Sequence, residues 1–234
     1  MGIRTLAIDV GASHVKAVLL DARGRLRGEE IRRPTPRRAE PEGLLEVLRS
    51  LRDDLPPFER ASVGFPGVVD RGVVRSAVNL GAGWEGFRLQ SALRRRLRVP
   101  VRVANDADVQ GLGAIRARGV ELVLTLGTGV GSSLFVDGRL VPNLELGHHP
   151  FRRGQTYEQQ LGLRALKRVG EIRWNRRLEQ AVETLRRAFS FHRLCLGGGN
   201  SRLVSFALPA DVRVVSNRTG LLGGIELWRE EESQ

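Results

Sequence analysis

The stretch Thr125-Leu126-Gly127-Thr128-Gly129-Val130-Gly131-Ser132 lies between two apolar runs that predict neighbouring β-strands. Its three glycines leave room for a phosphate chain against the backbone, and Thr128 adds a hydroxyl donor. The stretch is not a Walker A loop, because the Gly-Lys-Ser/Thr ending is missing and no helix follows directly. We therefore expect a phosphate-binding turn between two strands.

A second candidate phosphate loop occurs near the start of the chain, as Asp9-Val10-Gly11-Ala12-Ser13-His14-Val15-Lys16. Backbone N–H groups and the Ser13 hydroxyl at such a turn can hold phosphate oxygens, and Asp9 can hold Mg²⁺ through water. Taken alone, the segment is also typical of an ordinary tight turn. Its occurrence at the equivalent place in both halves of the chain favours phosphate binding.

Each loop belongs to a β-meander that is followed by alternating helices and strands. The predicted strands are 4–9, 15–20, 25–31, 62–65, 68–74 (a hairpin), 101–103, 122–126, 132–136, 140–141, 194–196 and 212–215. The predicted helices begin at Pro41, Leu89 (to Leu97), Asp106 (to about Arg118), Tyr157 (to Val169), Trp174 (to Phe189) and about Thr219. This internal duplication predicts an α/β fold of two domains, 1–118 and 119–234, flanking a ligand cleft. We leave open the alternative that the last helix packs back on the first domain.

The composition excludes several classes of protein. Hydrophobic residues make up 41% and charged residues 27% of the 234-residue chain, as in ordinary globular domains. No apolar run approaches roughly 18 residues and no secretory leader is evident, so we expect neither a membrane partner nor secretion. The one cysteine, Cys195, cannot form an internal disulfide. We expect a cytoplasmic protein.

The net charge of +12 makes a polyanion the first partner to consider. Lysine occurs only at Lys16 and Lys167, so nearly all of the 38 basic residues are arginines, and they are spread along the chain. A general preference for arginine on solvated helix faces explains the same composition. No zinc finger, recognition helix or aromatic-basic motif accompanies the charge, so nucleic acid is not expected. A phosphate polymer or a nucleotide remains open.

The order of several motifs resembles the ROK (repressor, open reading frame, kinase) family over nearly the whole chain. These motifs are the two glycine loops, Asn105-Asp106, Glu145-Leu146-Gly147-His148 and Leu196-Gly197-Gly198-Gly199. Within the family, the segments 62–69 and 142–148 are most similar to bacterial polyphosphate/ATP glucokinases. The resemblance implies a duplicated actin-like ATPase (ribonuclease H-like) fold, a sugar in the interdomain cleft, a phosphoryl donor across both loops, and a homodimer.

The resemblance also assigns roles to individual residues. Asp106 is the implied general base for the sugar 6-hydroxyl, although from the residues alone it is also a natural first-turn charge of a helix. Implied sugar contacts are Asn79, Asn105, Asp106, Glu145, His148 and Glu158. Implied phosphate or nucleotide contacts are Asp9, Gly11, Ser13, Lys16, Gly127, Thr128, Gly129, Gly131, Gly197, Gly198 and Gly199. Ala12 departs from the glycine usual in the family, and the zinc-loop cysteines are missing, so no zinc is expected.

Three functional hypotheses follow from these residues. The first is a glucokinase that transfers a phosphoryl group from polyphosphate, ATP or both to the 6-hydroxyl of glucose, with Mg²⁺ near Asp9. The second is an ATP-dependent kinase of the same family for another hexose. The third is a non-catalytic sugar or nucleotide sensor with the same fold, which would not require Asp106.

Overall fold

The structure is a computed structural model that describes residues 2–11, 13–37, 39–78 and 80–229. The chain divides into two compact units, one of residues 1–113 with 220–234 and one of residues 114–219. The sequence analysis placed the division between residues 118 and 119. The segment before 119 belongs to the second unit because the Glu121 carboxylate accepts hydrogen bonds from the backbone N–H groups of Arg116 and Arg118.

The first unit is built on a five-stranded sheet with helices. Its elements in chain order are β1 (Thr5–Val10), β2 (His14–Leu20), β3 (Ile31–Pro34), α1 (Pro41–Asp53), β4 (Arg60–Phe65), β5 (Val68–Asp70), β6 (Val73–Ser76), α2 (Leu89–Leu97), β7 (Val101–Asn105) and α3 (Asp106–Leu112). The sheet order is β3-β2-β1-β4-β7, with β1 antiparallel to β2 and parallel to β4. Leucines recur along one face of α1, which buries them in the core beside the sheet.

The second unit repeats this arrangement. Its elements are β8 (Val120–Leu126), β9 (Val130–Val136), β10 (Arg139–Val141), β11 (Pro150–Arg152), β12 (Gln155–Thr156), α4 (Tyr157–Leu161), α5 (Leu163–Phe189), β13 (Arg193–Gly197) and β14 (Val212–Val214), followed by α6 (Asn217–Glu226). The order β10-β9-β8-β13-β14 matches that of the first sheet strand for strand, including the switch from antiparallel to parallel pairing. The predicted internal duplication is therefore present in the topology.

The third strand differs from its prediction at 25–31. The Asp21 carboxylate accepts hydrogen bonds from the N–H groups of Arg23 and Arg25, and Gly28 has a φ of 109°, so this stretch turns instead of extending. Leu26 makes only an isolated bridge to Leu20. Regular pairing with β2 resumes at Ile31, where β3 begins.

Three helices also differ from their predictions. The helix predicted for 106–118 ends at Leu112, because the following segment is tied to Glu121 as described above. The helices predicted for 157–169 and 174–189 are divided elsewhere. A first break falls at Gly162, and α5 contains a second at Gly170, whose φ of 75° and ψ of 164° are not helical. Glycine adopts this conformation without steric cost, which explains why the second break falls there.

The segment from Gly220 onward packs on the first unit. Ile225 is buried with Ala7 and Val18 on the sheet. The Ser62 hydroxyl donates to the carbonyl oxygen of Gly224. In the part of the chain that the structure describes, no helix is long and apolar enough to cross a membrane.

Candidate active site

Asp9 lies near the carboxyl end of β1, directly opposite Lys16 of β2. The Lys16 Nζ atom is 3.7 Å from an Asp9 carboxylate oxygen. Burial raises the pKa of Asp9 above its usual range, Lys16 counteracts this, and Glu30 adds to it. A single carboxylate of this kind suits Mg²⁺, which is commonly held by one or two carboxylates together with substrate phosphates and water.

The loop after β1 is closed by its own backbone and by Thr35. Gly11 N–H donates to the His14 carbonyl oxygen at 3.0 Å, and a Cβ at position 11 would lie 2.9 Å from that oxygen. Thr35 Oγ1 donates to the Gly11 carbonyl at 2.7 Å, and Thr35 N–H donates to the Ser13 carbonyl at 3.0 Å. The Ser13 side chain is exposed at this turn. Ala12, which stands where the family usually has glycine, lies outside the described residues.

Asn105 and Asp106 form the junction between β7 and α3. Asn105 is 6% exposed, and its side-chain oxygen caps the helix by accepting from the N–H groups of Ala107 at 2.8 Å and Asp108 at 3.2 Å. Its amide group donates to the Gly67 carbonyl at 3.1 Å. Asp106 Oδ1 accepts from the Ala107 N–H at 2.9 Å, so the first turn of α3 orients the carboxylate.

The topology places Asp9 and Asp106 at the carboxyl ends of parallel strands in the first sheet. Strands β1, β4 and β7 are parallel, and in their register Asp9 stands beside Gly64, which stands beside Ala104. Strands β1 and β7 are two strand spacings apart, which corresponds to roughly 10 Å. Gly64 also makes room for the proposed base, because a Cβ there would lie 3.3 Å from Asp106 Cα and 3.6 Å from its Cβ.

In the second unit, the loop between β8 and β9 is held from three sides. Gly127 N–H donates to the Gly129 carbonyl at 3.0 Å. The Gly127 carbonyl in turn accepts from the Leu163 N–H at 3.1 Å and from the Asn200 amide at 3.0 Å. Thr128 is exposed at the tip of the loop. The loop therefore presents its hydroxyl and small residues from a fixed frame.

Glu158 of α4 contacts the same loop. Its Oε2 atom accepts from the Val130 N–H at 3.3 Å, and a Cβ at Gly129 would collide with that oxygen. The predicted phosphate loop and this predicted sugar contact are thus adjacent in one unit. Gly131 continues β9 opposite Thr125.

The glycine run after β13 is shaped by Gly198. Gly198 has a φ of 83°, and a side chain there would collide with the backbone of Leu126. Gly197 pairs with Thr125 of β8, which places the run beside the second glycine loop. Gly199 has open space where a side chain would be. The run therefore turns close to Leu126 and leaves open space beside Gly199.

Glu145 directly precedes the 3-10 turn Leu146–His148, and His148 is its last residue. Their Oε2 and Nε2 atoms are 3.6 Å apart. Burial raises the pKa of Glu145, His148 lowers it and Glu158 raises it, so the three predicted sugar contacts of this unit act on one another.

Ser132 fixes the backbone on both sides of Glu145. Its hydroxyl donates to the Leu144 carbonyl and accepts from the Leu146 N–H at 3.1 Å. Ser132 is 2% exposed.

Among the described residues, no group of three or more histidine, cysteine or carboxylate side chains has the geometry of a metal site.

The structure shows four residues whose positioning role the sequence analysis missed. Thr35, Gly64, Ser132 and Asn200 each support a predicted site residue from a distant part of the chain. Gly64, Ser132 and Asn200 lie in or directly beside motifs that the sequence analysis singled out, whereas no motif pointed to Thr35. Asn79, a predicted sugar contact, lies outside the described residues.

Two repeated α/β units with glycine loops at corresponding turns define the class as actin-like ATPase, the fold of the solved ROK sugar kinases. The sequence model of the ROK family matches residues 5–156, and the chain belongs to that family. Both the fold and the family agree with the resemblance found in the sequence.

Individual relatives extend this likeness over almost the whole chain. Polyphosphate glucokinase of Mycobacterium leprae is 29% identical over 229 residues, which cover 94% of this chain and 69% of that protein. The inorganic polyphosphate/ATP-glucomannokinase from Arthrobacter sp. strain KM has a crystal structure with a TM-score of 0.88 and 31% identity, covering 98% of this chain and 99% of the other. A ROK family glucokinase from Streptomyces griseus in complex with glucose and AMPPNP has a TM-score of 0.81 at 20% identity, covering 97% and 99% of the two chains.

Proposed function

We propose that this protein is a kinase that transfers a phosphoryl group from polyphosphate, ATP or both to the 6-hydroxyl of glucose. The observation that carries the proposal is that Asp106 lies at the carboxyl ends of the parallel strands, where the first phosphate loop also lies. The names of the relatives support the substrates, since they act on glucose with polyphosphate or bind glucose with an ATP analogue.

In this proposal Asp106 is the general base. Its carboxylate accepts the proton of the 6-hydroxyl while that oxygen forms a bond to phosphorus, and the bond from phosphorus to the leaving phosphate oxygen breaks. Phosphoryl transfer depends mainly on positioning and on stabilising charge, so a carboxylate held by the helix N-terminus is sufficient for this step. Asn105 supports it by capping the same helix.

The glycine loops bind the donor. Backbone N–H groups and the hydroxyls of Ser13 and Thr128 hold phosphate oxygens, and Lys16 adds a positive charge beside Asp9. Asp9 would hold Mg²⁺ through water, and the ion would supply positive charge to the donor phosphates.

The sugar contacts of the second unit are Glu145, His148 and Glu158. Two carboxylates and an imidazole match a polyol, whose hydroxyls donate and accept hydrogen bonds. Asn105 also belongs to the sugar site in this proposal, and its side-chain oxygen caps α3. The proposal includes a cytoplasmic homodimer and no nucleic-acid or membrane partner.

The Asp106→Asn variant tests the base directly. We expect its turnover of glucose to glucose 6-phosphate to fall by about 10²–10⁴-fold, with glucose binding retained. The matched control is Asp53→Asn at the exposed end of α1, which removes the same charge and should retain full activity. Turnover in Asp106→Asn equal to the wild type would refute the assignment.

A further inference from the structure

Five arginines gather on one part of the second unit, and we call them the arginine cluster. Arg152 ends β11, and Arg153 lies in the turn of the β11–β12 hairpin, where Arg153 has a φ of 51° and Gly154 a φ of 70°. Arg168, Arg173 and Arg177 belong to α5, on either side of the break at Gly170. Arg153, Arg168 and Arg173 are exposed.

Hydrogen bonds bring these segments together around α4. Arg168 Nη2 donates to the Gln159 carbonyl at 3.3 Å, and Arg177 Nη1 donates to the Gln160 carbonyl at 3.5 Å. The Gln160 amide also donates to the Gln155 side chain of β12, which ties the hairpin to α4. The guanidinium groups of Arg168 and Arg177 therefore lie at the carboxyl end of α4, and Arg152, Arg153 and Arg173 are near enough to Arg177 to interact with it electrostatically.

Among the residues that the structure describes, no carboxylate neutralises the cluster through an ion pair. The five side chains differ in this from Arg96 on α2, which pairs with Glu42 and Glu46, and from Arg186 on α5, which pairs with Asp211. Burial and the four other arginines hold the pKa of Arg177 below its usual range. Like charges held together in this way are stabilised by an anion.

The cluster is close to the second phosphate loop along α4. Glu158 contacts Val130 and Gly129 of the loop, and the next two residues of α4 supply the carbonyls that bind the cluster. Leu163, directly after α4, also donates to the loop. The five residues of α4 span only about 7.5 Å.

We propose that the arginine cluster binds the distal phosphates of a linear inorganic polyphosphate whose reacting end lies at the second phosphate loop. The inference rests on the proposed function and specifies its donor. Guanidinium groups suit this ligand because each binds phosphate oxygens through two parallel N–H bonds. A repeating polyanion continues past the loop, whereas the phosphate chain of a nucleotide ends at its nucleoside.

The double variant Arg153→Gln/Arg173→Gln tests the cluster, since neither side chain forms a hydrogen bond or ion pair that holds the described fold. The matched control is Arg94→Gln/Arg95→Gln on α2, which removes the same charge from exposed positions of the first unit. The probes are long-chain polyphosphate and tripolyphosphate. Direct binding and KM are measured for both at several salt concentrations with the full chain.

In the cluster variant, the dissociation constant for long-chain polyphosphate should rise about ten-fold or more, and the slope of log affinity against log salt should shrink by about 1.5–2 because two phosphate contacts are lost. Binding of tripolyphosphate should change much less, and the control variant should behave as the wild type. Equal weakening in both double variants, or no weakening in the cluster variant, would overturn the proposal.

The binding arm separates this inference from the proposed function. A wild-type protein that binds long-chain polyphosphate and loses that binding in the cluster variant supports the cluster even if no glucose 6-phosphate forms. Polyphosphate-dependent kinase activity with the same KM in wild type and cluster variant refutes the cluster and leaves the kinase intact.

Discussion

At the level of single residues, the position of the proposed base depends on a glycine in the neighbouring strand. A methyl group at Gly64 would lie 3.3 Å from the Cα of Asp106, closer than side chains normally approach backbone. Gly64→Ala is therefore expected to displace Asp106 and lower kcat roughly ten-fold with little change in the KM for glucose. Steady-state kinetics of glucose 6-phosphate formation measure both constants.

The control for this substitution is Gly43→Ala. A methyl group at Gly43 meets only the Pro36 side chain at 3.9 Å, and the position lies in α1, where alanine is the better helix former. The Gly43→Ala variant should therefore have the same kcat as the wild type. Equal kinetics for Gly64→Ala and wild type would mean that Asp106 is not positioned by this contact.

Glu145 gives a second prediction at this scale, one that depends on pH. Because burial raises its pKa, ionising Glu145 opposes folding; this cost is absent below the ordinary pKa of 4.5 and complete above the raised value. Glu145→Gln should thus stabilise the protein at neutral pH and have no such effect in acid below pH 4.5. The gain is at most about 1 kcal/mol, because the side chain is 38% exposed and screened by solvent.

Thermal unfolding at the two pH values checks this expectation, and glucose binding gives a second readout. The variant should bind glucose more weakly, since an amide accepts hydrogen bonds less strongly than a carboxylate. A variant that is less stable than wild type at neutral pH would contradict the account of Glu145.

The residues of the candidate site were predictable from sequence to different degrees. Glycine loops and Asp106 follow turn and helix-start patterns that are local in the chain. The support that Thr35 gives to Gly11, and Ser132 to the backbone around Glu145, depends on tertiary contacts that no local pattern encodes. Glu158 was proposed from family resemblance, but its contact with the second loop is visible only in the structure.

At the level of secondary structure, the break inside α5 is the feature most open to test. Gly170 has open space where a Cβ would be, yet its φ of 75° and ψ of 164° lie in a region that is essentially restricted to glycine. Gly170→Ala should cost about 1–3 kcal/mol of unfolding free energy through backbone strain alone. Denaturant unfolding measures this cost.

The outcome at Gly170 separates backbone strain from packing. Gly43→Ala again serves as the control, because it adds the same methyl group within a regular helix. A Gly170→Ala protein as stable as wild type would mean that the two parts of α5 join as one straight helix without cost.

The sequence predicted elements well where periodicity was strong and poorly where side chains ended them. Helix α2 begins and ends at the predicted residues, since its leucines recur at helical spacing. β3 was misplaced because the Asp21 side chain organises a turn inside an apolar alternation. α3 was predicted too long because the capture of 116 and 118 by Glu121 is a contact between segments of different elements.

For the whole molecule, the carboxyl-terminal segment links the end of the chain to the first unit. The Trp228 ring is 4.8 Å from the Arg60 guanidinium carbon and 4.4 Å from that of Arg102, and its Nε1–H donates to Ser62 at 2.8 Å. Trp228→Ala should lower the unfolding free energy by about 2–3 kcal/mol through lost burial and cation–π contacts. Denaturant unfolding followed by circular dichroism measures the loss.

Trp228→Phe provides the matched comparison. It retains an aromatic ring beside both guanidinium groups and lacks the N–H donor, so its loss should be about 1 kcal/mol. Equal stability of Trp228→Ala and wild type would show that this segment does not contribute to the first unit.

The central claim concerns the reaction itself, and one measurement tests it most directly. Wild-type protein is incubated with glucose and Mg²⁺, with long-chain polyphosphate or ATP supplied separately, at low and high salt, and glucose 6-phosphate is quantified. We expect turnover with polyphosphate that falls as salt screens the net charge of +12. A folded protein that binds glucose and forms no glucose 6-phosphate with either donor would contradict the claim.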